Sequence, residues 1–66
     1  MTKKEFDQWF EEYVIPSIKS KFEKDGMIDK PARREAYNVV LDVYQKSNQI
    51  TKHQAYTWII PKRLLK

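Results

Sequence analysis

The side chains that could take part in catalysis are few in this chain of 66 residues. It has one histidine, His53, and no cysteine, which excludes a Cys–His nucleophile pair and a His/Cys metal cluster. Glu11 and Glu12 are adjacent, so on a helix their carboxylates point in different directions and do not converge as an acid–base pair. A single glycine leaves no Gly-rich phosphate loop. The sequence therefore indicates a protein that is not an enzyme and that needs no metal and no cofactor.

Polar and basic residues gather at the predicted start of a third helix and beside it, which favours binding of an anion. In a helix-turn-helix protein, residues at the N-terminal end of the recognition helix contact base edges, and its lysines contact phosphates. Basic residues before and after that helix add phosphate contacts. The sequence thus predicts DNA binding through Lys46, Lys52, His53, Gln54, Thr57, Lys62 and Arg63.

The distribution of charge supports an anionic partner more than the net charge of +4 does. Residues 1–29 carry five lysines and seven acids, a balance of −2, whereas residues 30–66 carry eight basic residues and two acids, a balance of +6. A basic half of this kind favours nucleic acid, a membrane surface or an acidic protein as partner. The alternative is that the two halves neutralise each other where their helices pack.

Three helices must position these residues. A capping box from Thr2 to Glu5 begins the first helix, which we expect over residues 3–24. Pro16 removes one backbone hydrogen bond, so this helix should be kinked or split at that point. Gly26 follows the predicted helix end, where a left-handed residue is favoured and would bring Phe22 and Met27 into contact.

The second and third helices have equally local signals. Pro31 suits the first turn of a helix over residues 31–46, with Asp29 or Lys30 as its cap. Asn48 can take the left-handed conformation in the turn that follows. A second capping box begins the third helix, predicted over residues 51–60, and Pro61 ends it.

Apolar residues at helical spacing predict an all-α fold, a single domain over residues 1–66. We expect a small three-helix domain with a kinked first helix and with its second and third helices in a helix-turn-helix-like arrangement. Tyr56 and Trp58 lie two apart and cannot share one helix face, so at least one of them should be partly exposed or covered by the C-terminal tail or the first helix. An exposed ring could stack on a base or anchor a protein partner, whereas burial of both in so small a core is the favoured alternative. The predicted core is Phe6, Phe10, Tyr13, Phe22, Tyr37, Val40, Leu41, Tyr44 and Ile59.

The location predicted from sequence is the cytoplasm. No apolar run is long enough for a membrane span or a signal peptide, and the absence of cysteine fits a reducing compartment. The C-terminal stretch WIIPKRLLK mixes apolar and basic residues, but it is short and interrupted by proline, so no membrane attachment is expected.

The run DGMIDKPARREAYN, followed by Asp42, an NQI turn, an aromatic third helix and a proline, resembles short accessory proteins of bacteriophages and prophages. The likeness covers residues 13–61 and includes no catalytic motif. It implies a small phage protein in the host cytoplasm that binds DNA or a host protein. A protein-interaction module that binds or inhibits a host protein, or that pairs as a homodimer, is therefore the alternative to DNA binding.

Overall fold

A computed structural model describes residues 1–65 of the chain. Every regular element in this range is helical, and three helices make up the fold, which confirms the predicted all-α, three-helix class. The first helix covers residues 3–22, the second is Lys30–Lys46 and the third is Lys52–Thr57. A short 3₁₀ helix, Lys62–Leu65, follows the third helix.

The first helix changes its hydrogen bonding in the middle. It is α-helical over Lys3–Trp9 and Ile15–Phe22, and these parts flank a π-helical segment, Phe10–Val14. The Ile15 amide donates to the carbonyl of Phe10, five residues earlier, just before Pro16, which has no amide hydrogen to donate. The helix therefore continues through the proline by inserting a π turn. The predicted kink of its axis stays a prediction.

The first helix ends at Phe22, two residues before the predicted end at residue 24. Glu23 caps it, and Gly26 has the expected left-handed φ of +83°. Gly26 closes a separate turn through its amide and the Glu23 carbonyl, 3.0 Å apart, so it is not the residue directly after the helix cap. The predicted contact of Phe22 with Met27 required Gly26 to follow the cap directly, and that premise is wrong. Both side chains are largely exposed.

The second helix begins and ends as its local residues predict. The Asp29 carboxylate accepts from the Ala32 amide at 3.1 Å, and Pro31 lies in the first turn. At the other end, Asn48 has a φ of +63°. The Gln49 amide donates to the Tyr44 carbonyl at 2.9 Å, which is the long hydrogen bond of a Schellman ending.

The third helix starts as predicted but ends early. Its capping box is formed: the Gln54 amide donates to Thr51 Oγ1 at 3.1 Å, and the Thr51 amide donates to Gln54 Oε1 at 2.7 Å. The helix was predicted to reach Ile60, but Trp58 is already extended, with ψ of 130°. The extended backbone brings Pro61 and the 3₁₀ helix back toward the second helix, where Leu64 becomes buried.

The core was only partly predicted. Phe6, Phe10, Tyr37 and Leu41 are buried as expected, and Val40 and Tyr44 are half-buried against them. Three predicted core residues are instead exposed: Tyr13, Phe22 and Ile59. Their places are taken by four buried residues that were not predicted: Ile15, Ile18, Ile50 and Leu64.

An aromatic cluster joins the first two helices. The Phe6 ring meets Tyr37 and Tyr44 edge-on, with centroids 5.2 and 5.4 Å apart, and Trp58 of the C-terminal segment lies 5.7 Å from the same ring. Edge-to-face packing of this kind stabilises the fold by more than the burial of its apolar area alone would.

Within residues 1–65, no helix combines the length and the apolar character that crossing a bilayer requires.

Candidate nucleic-acid interface

The residues at the start of the third helix are exposed, but they are not equally available to a ligand. Lys52 and His53 project into solvent at the first turn. Gln54 is held by the capping box with Thr51, and its side-chain amide nitrogen, Nε2, lies 3.5 Å from the Met1 carbonyl oxygen. The Thr57 hydroxyl donates to the His53 carbonyl at 2.9 Å. Lys52 and His53 are therefore the two side chains of this turn that can meet a ligand without first breaking a hydrogen bond.

Two adjoining grooves run between the second helix and the C-terminal part of the chain, and both contain Asn38. The first is lined by Asn38, Leu41, Asp42, Gln45, Lys52, Ala55 and Tyr56. The second is lined by Arg34, Asn38, Ile59, Ile60, Lys62 and Leu65. We call the exposed residues of these grooves the basic surface, which consists of Arg34, Asn38, Asp42, Lys52, Tyr56, Ile59 and Lys62.

Three cations of the basic surface have no ion pair within the described residues: Arg34, Lys52 and Lys62. The one acid in the two grooves, Asp42, lies 3.0 Å from the ammonium group of Lys46. Lys46 therefore neutralises the acid beside Lys52. The surface as a whole is positively charged, and exposed cations of this kind can reach phosphates without first losing a partner.

Arg63 stands apart from the other predicted site residues. Its guanidinium lies 3.6 Å from the Glu11 carboxylate, and it lines a different groove together with Glu11, Pro16 and Lys19. The structure therefore brings Lys52 and Lys62 to one surface and turns Arg63 toward the acidic part of the first helix. This contact neutralises one charge of the basic half with one of the acidic half, which is the alternative that the charge distribution left open.

Two apolar side chains of the basic surface are far more exposed than the sequence suggested. Tyr56 is 80% exposed and Ile59 is 73% exposed, whereas Trp58 packs against the core. The favoured expectation that both Tyr56 and Trp58 lie in the core is wrong for Tyr56, whereas the expectation that at least one of them is partly exposed is confirmed. An exposed aromatic ring between cations can stack on a base or anchor a protein partner.

Sequence reasoning missed Arg34 and Asn38 as members of this surface. They lie four residues apart on the second helix, so they share one of its faces, and Asp42 continues the same row. That spacing was visible in the sequence. What was not visible is that the C-terminal segment would return to the second helix and place Lys62 along the same groove as Arg34.

A buried ion pair fixes the return of the C-terminal segment. Arg33 is 3% exposed, and its guanidinium donates to both carboxylate oxygens of Glu23 at 2.7 Å and to the Leu64 carbonyl at 2.8 Å. Glu23 also accepts from the Asp29 amide at 3.1 Å. The hydrogen bonds from Arg33 hold the pKa of Glu23 below its usual 4.5, against the opposing effect of its burial.

A second buried polar pair joins the first and second helices. The Tyr37 hydroxyl donates to the Asp7 carboxylate, which also accepts from the Lys3 ammonium at 2.6 Å. Burial, together with the hydrogen bond to Asp7, raises the pKa of Tyr37 well above its usual 10, so the hydroxyl stays protonated. This pair satisfies two polar groups in the core and faces no groove of the basic surface, so its role is structural.

Within residues 1–65, no group of three or more His, Cys, Asp or Glu side chains is close enough to hold a metal ion. Comparison with protein-family models, with curated protein sequences and with solved structures finds no match to this chain.

Proposed function

We propose that this protein binds nucleic acid through the basic surface, and that this nucleic acid is DNA. One observation carries the proposal. Arg34, Lys52 and Lys62, from three separate parts of the chain, border two adjoining grooves without an ion pair of their own in the described residues. Such cations displace the counterions of a phosphate backbone, which supplies most of the affinity of non-specific binding.

The proposed binding mode is related to that of helix-turn-helix proteins. In this mode the second helix lies along the DNA backbone, and the first turn of the third helix presents Lys52 and His53 to the major groove of the DNA. The third helix has six residues, about 9 Å of helix, so few base edges come within its reach. We therefore propose that phosphate contacts dominate and that Tyr56 adds stacking where a base is unpaired.

A titration with labelled DNA at several salt concentrations tests the proposal. The logarithm of the binding constant should fall linearly with the logarithm of the salt concentration, by about 0.9 for each phosphate neutralised on duplex DNA. Arg34→Ala, Lys52→Ala and Lys62→Ala should each weaken binding to all sequences and lower this slope by about one. Lys19→Ala, in the groove that contains Arg63, is the matched control and should change neither quantity.

The second candidate is a protein-interaction module, and the exposure of Ile59 favours it. An aliphatic side chain that is 73% exposed gains nothing from phosphates or stacked bases, but it fits the apolar centre of a protein interface. For a phage protein the partner would be a host protein in the cytoplasm. Absence of DNA binding even at low salt, with tight binding to an acidic protein that Ile59→Ala weakens, would favour this candidate.

A further inference from the structure

The groove lined by Lys52 and Tyr56 is the first of the two grooves of the basic surface, and it lies between the second and third helices. We call it the tyrosine groove. Its volume is about 380 Å³, within the roughly 300–1,000 Å³ of ligand-binding clefts. Leu41, which is 2% exposed, and the half-buried Ala55 give it an apolar lining. The tyrosine groove therefore combines an apolar lining with a cation and an aromatic ring.

The Tyr56 ring is available for stacking. It is 80% exposed, more than any other large hydrophobic side chain of residues 1–65, and no aromatic pair within that range includes it. Bases of any sequence stack on exposed rings of this kind, because every base has a π-face. A base inside a duplex is paired and stacked on its neighbours, so only an unpaired base can reach the ring without breaking these contacts.

Amide side chains line the same groove. Asn38 and Gln45 lie seven residues apart, about two turns along the second helix, so they share one of its faces. In the part of the chain that the structure describes, neither amide side chain takes part in a hydrogen bond. An amide group both donates and accepts, and an unpaired base exposes donors and acceptors along its edge. The tyrosine groove thus offers a stacking surface together with hydrogen-bonding groups.

We propose that the tyrosine groove binds one unpaired base, stacked on Tyr56, and that the protein therefore prefers single-stranded DNA to a fully paired duplex. This preference rests on the proposed function, because the basic surface must hold the phosphates on either side of that base. Lys52 lines the tyrosine groove itself, and Arg34 and Lys62 line the adjoining groove, which shares Asn38.

Phosphate contacts alone predict the opposite preference. A duplex has a higher density of charge than a single strand, and each neutralised phosphate contributes about 0.9 to the salt slope on a duplex but only about 0.7 on a single strand. A surface that acts only through its cations should therefore bind the duplex more tightly. Tighter binding of the single strand requires a contact with the base, which is what the tyrosine groove supplies.

Fluorescence anisotropy with one labelled strand, alone and annealed to its complement, tests the preference. The strand is chosen without self-complementarity, so that its bases stay unpaired. At the same low salt concentration, the parent chain should bind the single strand at least about fivefold more tightly than the duplex, because stacking of one base on an aromatic ring supplies at least this factor.

Substitutions of Tyr56 separate stacking from charge. Tyr56→Ala should weaken binding of the single strand by about 5- to 150-fold and leave its salt slope unchanged, because no charge is removed. Tyr56→Phe keeps the ring and should stay within about twofold of the parent chain. Tyr13→Ala removes a ring that is 65% exposed on the first helix and lines neither groove, so it is the matched control and should change nothing. Circular dichroism verifies that each variant is folded.

The outcomes distinguish the base site from the basic surface that it depends on. Absence of salt-dependent binding to either form of DNA would overturn the proposed function and the base site together. If the duplex binds at least as tightly as the single strand, while Lys52→Ala still lowers the salt slope, the base site alone is overturned. Single-strand binding by Tyr56→Ala that is as tight as that of the parent chain would likewise overturn only the base site.

Discussion

Arg33 and Arg34 are consecutive on the second helix and have opposite environments. Arg33 is 3% exposed and bridges Glu23 to the carbonyl of Leu64, whereas Arg34 is exposed and borders a groove with Lys62. One arginine thus holds the C-terminal segment in place, and its neighbour belongs to the surface that this segment completes. The stability of the fold and the binding of a ligand can therefore be separated by substitutions at adjacent positions.

Replacing Arg33 should destabilise the fold strongly. Arg33→Leu leaves the Glu23 carboxylate and the Leu64 carbonyl without their partner, and loss of one member of a buried pair costs far more than loss of an exposed charge. We expect the thermal midpoint to fall by more than about 10 °C. Arg34→Leu is the control and should shift the midpoint by only about 2 °C. Similar shifts for both variants, measured by circular dichroism, would contradict a supporting role for Arg33.

The same ion pair should make stability depend on acid. Glu23 has a pKa below 4.5 in the folded protein, so its carboxylate contributes stability above that pH, and the contribution is lost as the pH falls through the folded pKa. Thermal midpoints measured between about pH 7 and pH 3 should drop for the parent chain below about pH 4.5. Glu23→Gln should be less stable at neutral pH and should lose less on acidification. Equal acid sensitivity of the two chains would exclude Glu23 as a source of this dependence.

Lys62 and Arg63 provide a matched test of the binding surface. They are adjacent, yet Lys62 borders the basic surface and Arg63 faces Glu11. Lys62→Ala should lower the salt slope of DNA binding by about one, and Arg63→Ala should lower it by much less. The comparison is made by fluorescence anisotropy on one duplex. A larger effect of Arg63→Ala would mean that DNA lies across the groove of the first helix instead.

Leu64 should matter more to the fold than the other residues of the 3₁₀ helix, Lys62–Leu65. Its side chain is 2% exposed, so Leu64→Ala should lower the free energy of unfolding by about 2–5 kcal/mol. Ile59→Ala removes a side chain that is 73% exposed and should change this free energy by no more than about 0.5 kcal/mol. Urea denaturation of the three chains measures both effects. An equal loss for Ile59→Ala would place Ile59 in the core, as the sequence had suggested.

The starts of the helices could be predicted from the sequence because capping is local. Thr2 and Thr51 each exchange hydrogen bonds with a residue three positions later, and the Asp29 carboxylate accepts from the amide three positions later. The left-handed conformations of Gly26 and Asn48 follow equally from their own side chains. Interactions within about four residues do not depend on how the helices pack, so the residues themselves determined three helices and their order.

The faces that become buried were decided by tertiary structure. The π segment adds one residue to the turn before Pro16, and Ile15 and Ile18 after it face the core. Phe22 lies four residues after Ile18, but as the last residue of the helix it is left 59% exposed. The early end of the third helix likewise exchanges Ile59 for Leu64 in the core. Neither outcome has a local signal, because each is set by packing between distant segments.

The candidate binding surface likewise depends partly on the sequence alone and partly on the tertiary structure. Its basic residues and their bias toward one half of the chain were evident from the sequence. The placement of Arg34 and Lys62 along one groove, and the turning of Arg63 toward Glu11, required the C-terminal segment to fold back toward the second helix. The sequence determined which charges this protein has, and the buried contacts of Arg33 and Leu64 decided which of them share a surface, because those contacts fix the path of the chain.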